Sequence, residues 1–264
     1  MELGAITPLI LTCNEEPNLA RCLARLGWAG EIVVVDSLST DGTKALGTGH
    51  PNVRWHERPF DHHTAQWNFG LDQVRTEWVL SLDADYVLSD GFEAELAALA
   101  PAAGLAAYAV SFRYCINGRP LRGTLYPPRL ALFRRSSCRY VQDGHTQLLR
   151  ADGPTGALRT HILHDDRKPL SRWLTSQDRY AKLEAEKFTS TPTSALGLND
   201  RIRKTIVLGP PVVLLYTLFV RGVILDGWAG WYYAFQRALA ETLLSLRLIE
   251  AKLGVSSSDT NTGQ

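Results

Sequence analysis

The stretch Trp78-Val79-Leu80-Ser81-Leu82-Asp83-Ala84-Asp85 decides the fold. Its apolar run has the length of a buried strand, and it stops at two carboxylates. Acids at i and i+2 on extended backbone point to the same side. Upstream, 5–11 is a short apolar run suited to a buried strand, and 32–35 is a β-branched strand that stops at Asp36. Between them, Asn14-Glu15-Glu16-Pro17 forms a helix start, a cap followed by early acids and a proline. Leu19, Cys22, Leu23 and Leu26 supply that helix's apolar face, and Gly27 and Gly30 end it. Ser39-Thr40-Asp41-Gly42 caps the next helix, 53–56 is a third strand, and 61–74 is helical. Strands alternating with helices predict a parallel sheet covered on both faces, with ligands beyond the carboxyl ends of the strands. Asn14, Asp36 and Asp83 then share one rim.

Past this point the pattern changes. Strands are expected at 107–115, 130–134 and 147–150, broken by Asn117-Gly118, Gly123 and Pro127-Pro128, as a mixed continuation of the sheet. From Leu170 the chain turns helical, with an amphipathic helix at 171–188, a linker at 191–198 and a helix at 234–253. The segment 206–220 carries no charge but is shorter than the about 20 residues of a spanning helix, and Pro210-Pro211 interrupts it. Trp228, Trp231, Tyr232 and Tyr233 follow. Aromatic clusters of this kind suit a membrane–water interface; a packed core or an oligomer interface is the other reading. The expected organisation is a first domain at 1–165, a helical membrane-associated or oligomer-forming extension at 166–255, and a disordered tail at 256–264.

Of 264 residues, 45% are apolar and 21% charged, which excludes disordered and collagen-like classes. The net charge of +1 gives no reason to expect nucleic acid as a partner. That near-neutral sum hides an asymmetry. Residues 1–109 carry a net charge of −9, 110–150 carry +7, and 151–264 carry +3. Cys13, Cys22, Cys115 and Cys138 show no C-x-x-C spacing. With no basic or long apolar leader at 1–10, the expectation is free thiols in a reducing compartment.

Asp83 and Asp85 are hard oxygen ligands of the kind that hold a divalent ion bridging phosphates, although an isolated D-x-D also serves as a turn or cap. The eight arginines of 110–150, among them Arg129 and Arg134, suit recognition of a phosphorylated acceptor, or else form a solvated face. Asp61-His62-His63 and His161-x-x-His164-Asp165-Asp166 are taken as surface or acceptor-loop histidines rather than metal clusters.

Three stretches in this order and spacing resemble the inverting family 2 glycosyltransferases of the GT-A fold: residues 11–19, residues 31–43, and Trp78 to Asp85. Gln66-Trp67-Asn68-Phe69-Gly70-Leu71 matches the helix before the fourth strand. Within that family the chain is most similar to the lipopolysaccharide inner-core β-glucosyltransferases, through Arg129–Arg134, His161, His164, Arg179-Tyr180 and the 222–227 segment. The resemblance implies an α/β, Rossmann-like nucleotide-sugar domain with a mixed sheet flanked by helices. It implies that Thr12, Cys13 and Glu15 line the base pocket, that Asn14 belongs to the nucleotide-sugar site, and that Asp36 contacts base or ribose. Gln66, Asn68, Asp83 and Ala84 belong to the same donor site, and Asp85 with Asp83 binds Mg²⁺ or Mn²⁺.

Inverting transfer needs a general base for the acceptor hydroxyl. Asp143 is the expected base, with His145 beside the diphosphate or metal. Related sequences commonly carry Val-His-Glu where this chain has Gly144-His145-Thr146, and Lys or Arg where it has Trp67. The expected reaction moves a sugar, with UDP-glucose the first candidate, onto a lipopolysaccharide-core or lipid-linked saccharide. The expected place is the cytoplasmic face of the inner membrane, peripheral or re-entrant, with a homo-oligomer as a further expectation. Transfer to polyprenyl phosphate, which needs little base help, and a non-catalytic membrane-bound module of the same fold are the alternatives. A dinucleotide oxidoreductase is disfavoured because no G-x-G-x-x-G follows the first strand.

Overall fold

The computed structural model describes residues 1–143 and 146–254, with the side chains of Asp143 and Thr146 outside that description. His145 and the 256–264 tail therefore lie outside the described residues. The chain forms two compact units. One comprises Met1–Pro120 and Tyr126–Lys168; the other comprises Leu121–Leu125 and the chain from Pro169 onward.

The first unit opens with β1 (Ile6–Thr12), α1 (Leu19–Leu23), β2 (Ile32–Asp36), α2 (Thr43–Thr48), β3 (Val53–Glu57), α3 (His63–Gln73) and β4 (Trp78–Asp83). These strands pair in parallel in the order β3-β2-β1-β4. Next come β5 (Tyr86–Leu88), α4 (Phe92–Ala98), β6 (Ala107–Ile116), β7 (Arg119–Pro120), β8 (Arg129–Arg134), β9 (Cys138–Asp143), β10 (Thr146–Ala151) and β11 (Thr155–His164). The sheet continues from β4 as β8-β6-β11-β5, with β8 antiparallel to both neighbours. This is the mixed sheet flanked by helices that the GT-A resemblance implies. The 147–150 strand departs from expectation: β10 pairs with β9 in a separate two-stranded sheet.

The strand alternation explains the two-sided packing. Ile6, Ile10, Ile32, Val34, Leu80 and Leu82 face one way and pack with Leu19, Cys22 and Leu23 of α1. Leu9, Val33, Val35 and Val79 face the other way, against Trp67 and Leu71 of α3. Helix α3 lies so close that a Cβ on Gly70 would stand 2.6 Å from Leu9 Cδ1 and 3.2 Å from Val35 Cγ2, so a larger residue would force the Leu9 side chain to shift. The register aligns Thr12 with Asp36 and Leu11 with Asp83, which places all three strand ends at one rim.

The second unit contains α5 (Leu170–Ser190), α6 (Leu198–Lys204), α7 (Gly209–Leu215), a π-helical turn at Tyr216–Val220, a 3₁₀ turn at Val223–Asp226, and α8 (Trp228–Leu253). Phe188, Leu244 and Leu248 are core residues between α5 and α8. Arg203 ties these helices through Glu241 at 2.9 Å and Glu184 at 3.0 Å. No helix among the described residues is long and apolar enough to cross a membrane.

Candidate active site

Two loops interlock where β1 and β2 end. Ser37 N donates to Thr12 O at 2.9 Å. Asn14 takes a left-handed backbone (φ 54°), its N–H donates to Ser39 Oγ, and its Oδ1 accepts from Thr40 N, each at 2.7 Å. Asn14 is thus a loop clasp, not the helix cap the sequence suggested. Asn18 precedes α1 instead. Glu15 N donates to Thr43 Oγ1 at 2.7 Å. Asp36 is fully buried, and its carboxylate accepts from Ser39 N at 2.8 Å and from Ser39 Oγ. In this state Asp36 shapes the loop. Cys13 is exposed beside it, while the Thr12 hydroxyl is buried without a hydrogen-bond partner.

At the end of β4, Asp83 lies half-buried, and Asp85 follows it, buried, in the turn formed with Ala84. His164, at the end of β11, brings Nε2 to 3.3 Å from Asp85 Oδ2. Tyr86, Tyr114 and Tyr126 surround this imidazole, at centroid distances of 5.1, 4.7 and 5.3 Å. The sequence treated His164 as a surface or acceptor-loop residue; the β11–β5 and β11–β6 pairings carry it to the carboxylates instead. Burial and the charge of Asp85 raise the Asp83 pKa. Burial would raise Asp85 too, but the His164 charge and hydrogen bond outweigh it and hold Asp85 below its ordinary value.

A strap at Asp165–Lys168 closes this side of the rim. Asn18, fully buried, donates from Nδ2 to Glu15 at 2.8 Å and to Asp166 at 3.0 Å. Its Oδ1 accepts from Arg21 at 2.6 Å and from Arg167 N at 3.0 Å. Asp165 pairs with Arg21 at 2.7 Å and Arg167 at 2.9 Å. Lys168 bonds to Glu15. Burial, reinforced by Asp85, pushes the Glu15 carboxyl up to about 7 against the pull of Lys168. Lys168 escaped the sequence reading, and Asn18 entered it only within the 11–19 stretch, with no role of its own. The only signal was a basic pair directly after Asp165-Asp166.

Beside Asp83 a cavity of about 400 Å³ opens, walled by Trp67, Tyr86, Phe112, Tyr140 and Leu149, with Arg129 at its margin. Trp67 stacks on Tyr140 at 5.1 Å and 18°, and Arg129 lies over the Tyr126 ring at 4.5 Å. Two expected donor-site residues are engaged by protein partners. Asn68 donates to Tyr140 O at 2.9 Å and accepts from Tyr140 N at 3.1 Å, pinning β9. Gln66, buried, donates to Ser37 Oγ at 2.9 Å and Arg58 O at 3.0 Å. Asp143 stands on the β9–β10 hairpin, which lines the cavity through Tyr140, Gln147, Leu148 and Leu149. Its side chain, like His145, lies outside the described residues.

The structure does not bring Arg134 to this rim. It pairs in register with Trp78 at the opposite end of β4, stacks on that ring at 4.7 Å and bonds to Glu77. The arginine-rich stretch is dispersed more generally. Arg139 pairs with Asp72 at 2.7 Å, and Arg122 with Asp226 at 3.2 Å. Charge counted along the chain overstated a single basic face, because the neutralising acids come from elsewhere in the fold.

Among the described residues, no group of three or more His, Cys, Asp or Glu side chains is placed to hold a metal ion. A cation of the Mg²⁺ type, however, keeps several waters and takes one or two carboxylates plus substrate phosphates. Asp83 and Asp85 fit that limited role. Asp85 Oδ1 is buried and has no hydrogen-bond partner, a costly state for a carboxylate that a cation or donor would relieve.

Residues 9–157 match the family model described as glycosyl transferase family 2. The chain is 28% identical to the lipopolysaccharide core biosynthesis glycosyltransferase LpsC of Rhizobium meliloti, over 93% of this chain and 92% of that one. It is 32% identical to an uncharacterized glycosyltransferase of Rickettsia typhi, over 34% of this chain and 31% of that one. Among solved structures it is similar to S. aureus TarS in complex with UDP-GlcNAc, at 14% identity, TM-score 0.47, and coverage of 94% and 92%. The family match spans the interlocked loops, the D-x-D strand and the cavity wall together, and the chain belongs to glycosyl transferase family 2.

Proposed function

We propose that this transferase moves a hexose, with UDP-glucose the first candidate, onto a lipopolysaccharide-core or lipid-linked saccharide with inversion at the anomeric carbon. The observation that carries the reading is the Asp83–Asp85 pair at the carboxyl end of β4, with Asp85 Oδ1 buried and without a partner. The core-saccharide acceptor is supported by the R. meliloti relative, which aligns over nearly the whole chain. Thr12, Cys13, Asn14, Glu15 and Asp36 form the nucleotide side of the site, and Asp83 and Asp85 would hold Mg²⁺ or Mn²⁺. A bound divalent ion supplies charge stabilisation to the departing nucleoside diphosphate.

The protein's own work is to position both substrates and take one proton. The acceptor oxygen attacks the anomeric carbon as the bond to the diphosphate breaks, and Asp143 receives the hydroxyl proton. Trp67 and Tyr140 give an apolar wall on which a sugar face can lie. Arg129 would meet a phosphate on the acceptor. A nucleotide-sugar donor and a lipid-borne acceptor together suit a peripheral or re-entrant protein at the cytoplasmic face of the inner membrane. The test is a panel of nucleotide sugars assayed with core oligosaccharide, with and without EDTA. Transfer confined to one donor and abolished by EDTA is expected; no transfer from any donor, with UDP failing to bind in the presence of Mn²⁺, would overturn the reading.

A further inference from the structure

Helices of a soluble fold turn their apolar stripe inward. In the second unit two helical segments turn theirs outward. Val212, Leu215, Tyr216, Phe219 and Val220 recur at the i, i+3, i+4, i+7, i+8 spacing along α7 and the π-helical turn, and all are exposed. Trp228, Trp231, Tyr232, Phe235 and Leu239 form a similar stripe on α8, at i, i+3, i+4, i+7 and i+11, and these too are exposed. The inward sides carry small or buried residues: Gly209, Thr217 and Leu218 on one segment, Ala229, Gly230 and Ala234 on the other. A Cβ on Gly230 would collide with the Val223 carbonyl, so this packing requires glycine. The bend between the segments carries the most exposed apolar side chains of this face: Phe219 at 62%, Val220 at 68% and Leu225 at 67%.

We infer that this bent pair of segments is a lipid-docking face that enters one leaflet of a bilayer without crossing it. The charge pattern favours lipid over a second copy of the chain. Between 205 and 240 the only acid is Asp226, and it is engaged by Arg122 N at 2.9 Å. Arg221, exposed at the bend, packs on the Tyr216 ring at 5.3 Å. Apolar tips beside an arginine complement hydrocarbon beneath anionic headgroups, where a long basic side chain reaches back to the surface. Two-fold pairing of the same face would instead bring Arg221 towards its own copy with no acid to meet it. The flanking Trp and Tyr rings, apolar with one polar end, suit the headgroup level. No described helix is long and apolar enough to span, and the π and 3₁₀ turns break the axis, so the segments lie in the interface.

This inference rests on the lipid-borne acceptor proposed above and names the surface that would reach it. The test is flotation of the full chain with phosphatidylcholine–phosphatidylglycerol vesicles. Wild type and Leu198→Ser, an exposed apolar site outside the face, should float. The triple variant Phe219→Ser, Val220→Ser, Leu225→Ser should partition about tenfold or more weakly, with an unchanged melting temperature and unchanged transfer to a soluble, delipidated acceptor. Wild type that stays unbound, or a triple variant that floats equally well, would overturn the inference. So would a wild-type dimer in vesicle-free sedimentation that the triple variant dissolves. Flotation needs neither donor nor metal: lost transfer with intact flotation would count against the proposed reaction alone, and lost flotation with intact transfer against the docking face alone.

Discussion

His164 Nε2 stands 3.3 Å from Asp85 Oδ2, inside a ring of three tyrosines. Burial lowers the imidazole's pKa, but the charge and hydrogen bond of Asp85 raise it more, so the net shift is upward from 6.5. A histidine whose pKa rises on folding stabilises the fold fully below its unfolded value and loses that contribution as pH climbs through the folded one. Stability should therefore decline from pH 6 towards pH 8. His164→Asn should remove roughly 1–3 kcal/mol at pH 6 and flatten this decline. Urea melts at several pH values check it, and parallel wild-type and variant curves would contradict the pairing.

Asn18 joins α1 to the strap through four hydrogen bonds, two given and two received. Replacing it with alanine leaves Glu15, Asp166, Arg21 and the Arg167 N–H each short of a partner in a buried setting. Asn18→Ala should cost about 2–4 kcal/mol, several times the effect of an ordinary surface change. Denaturant unfolding measures the cost, and a loss below about 1 kcal/mol would show that water replaces these bonds.

The rim was legible because its signals are local. Apolar runs ending in Asp36 and Asp83 mark strand ends whatever the rest of the chain does, and parallel pairing then aligns them. His164 and Lys168 were not legible as site residues. Their placement depends on β11 returning beside β6 and β5, a pairing no short-range pattern encodes. Arg134 failed for the converse reason. Its neighbours in sequence are basic, but its neighbours in space are Glu77 and Trp78. Asn68 kept its expected position on α3, yet its amide serves the backbone of Tyr140.

Trp67 is 4% exposed and stacked on Tyr140. Trp67→Ala should cost about 3–5 kcal/mol by opening the cavity wall and should weaken acceptor or donor affinity more than it weakens turnover. Trp67→Lys places an ammonium among Tyr140, Phe133 and Val79, so its lysine should titrate below the ordinary range or the protein should melt earlier. Melting temperature and KM measured side by side separate a wall residue from a charge-binding one. A Lys variant as stable as wild type, with a lowered KM, would show that the slot accepts a cation.

The donor side of the proposed chemistry turns on Asp85. Its Oδ2 is held by His164, leaving Oδ1 buried and without a partner. Asp85→Asn keeps the shape and removes the charge, so transfer should fall by about 10²–10³-fold while the fold persists. Asp143→Asn should also slow transfer, by about 10²–10⁴-fold, but through the acceptor. Calorimetry tells the two apart. The Asp85 variant should lose Mn²⁺-dependent binding of UDP, and the Asp143 variant should keep it. Turnover by the Asp85 variant near the wild-type rate, at the same metal concentration, would remove that residue from the proposed donor site.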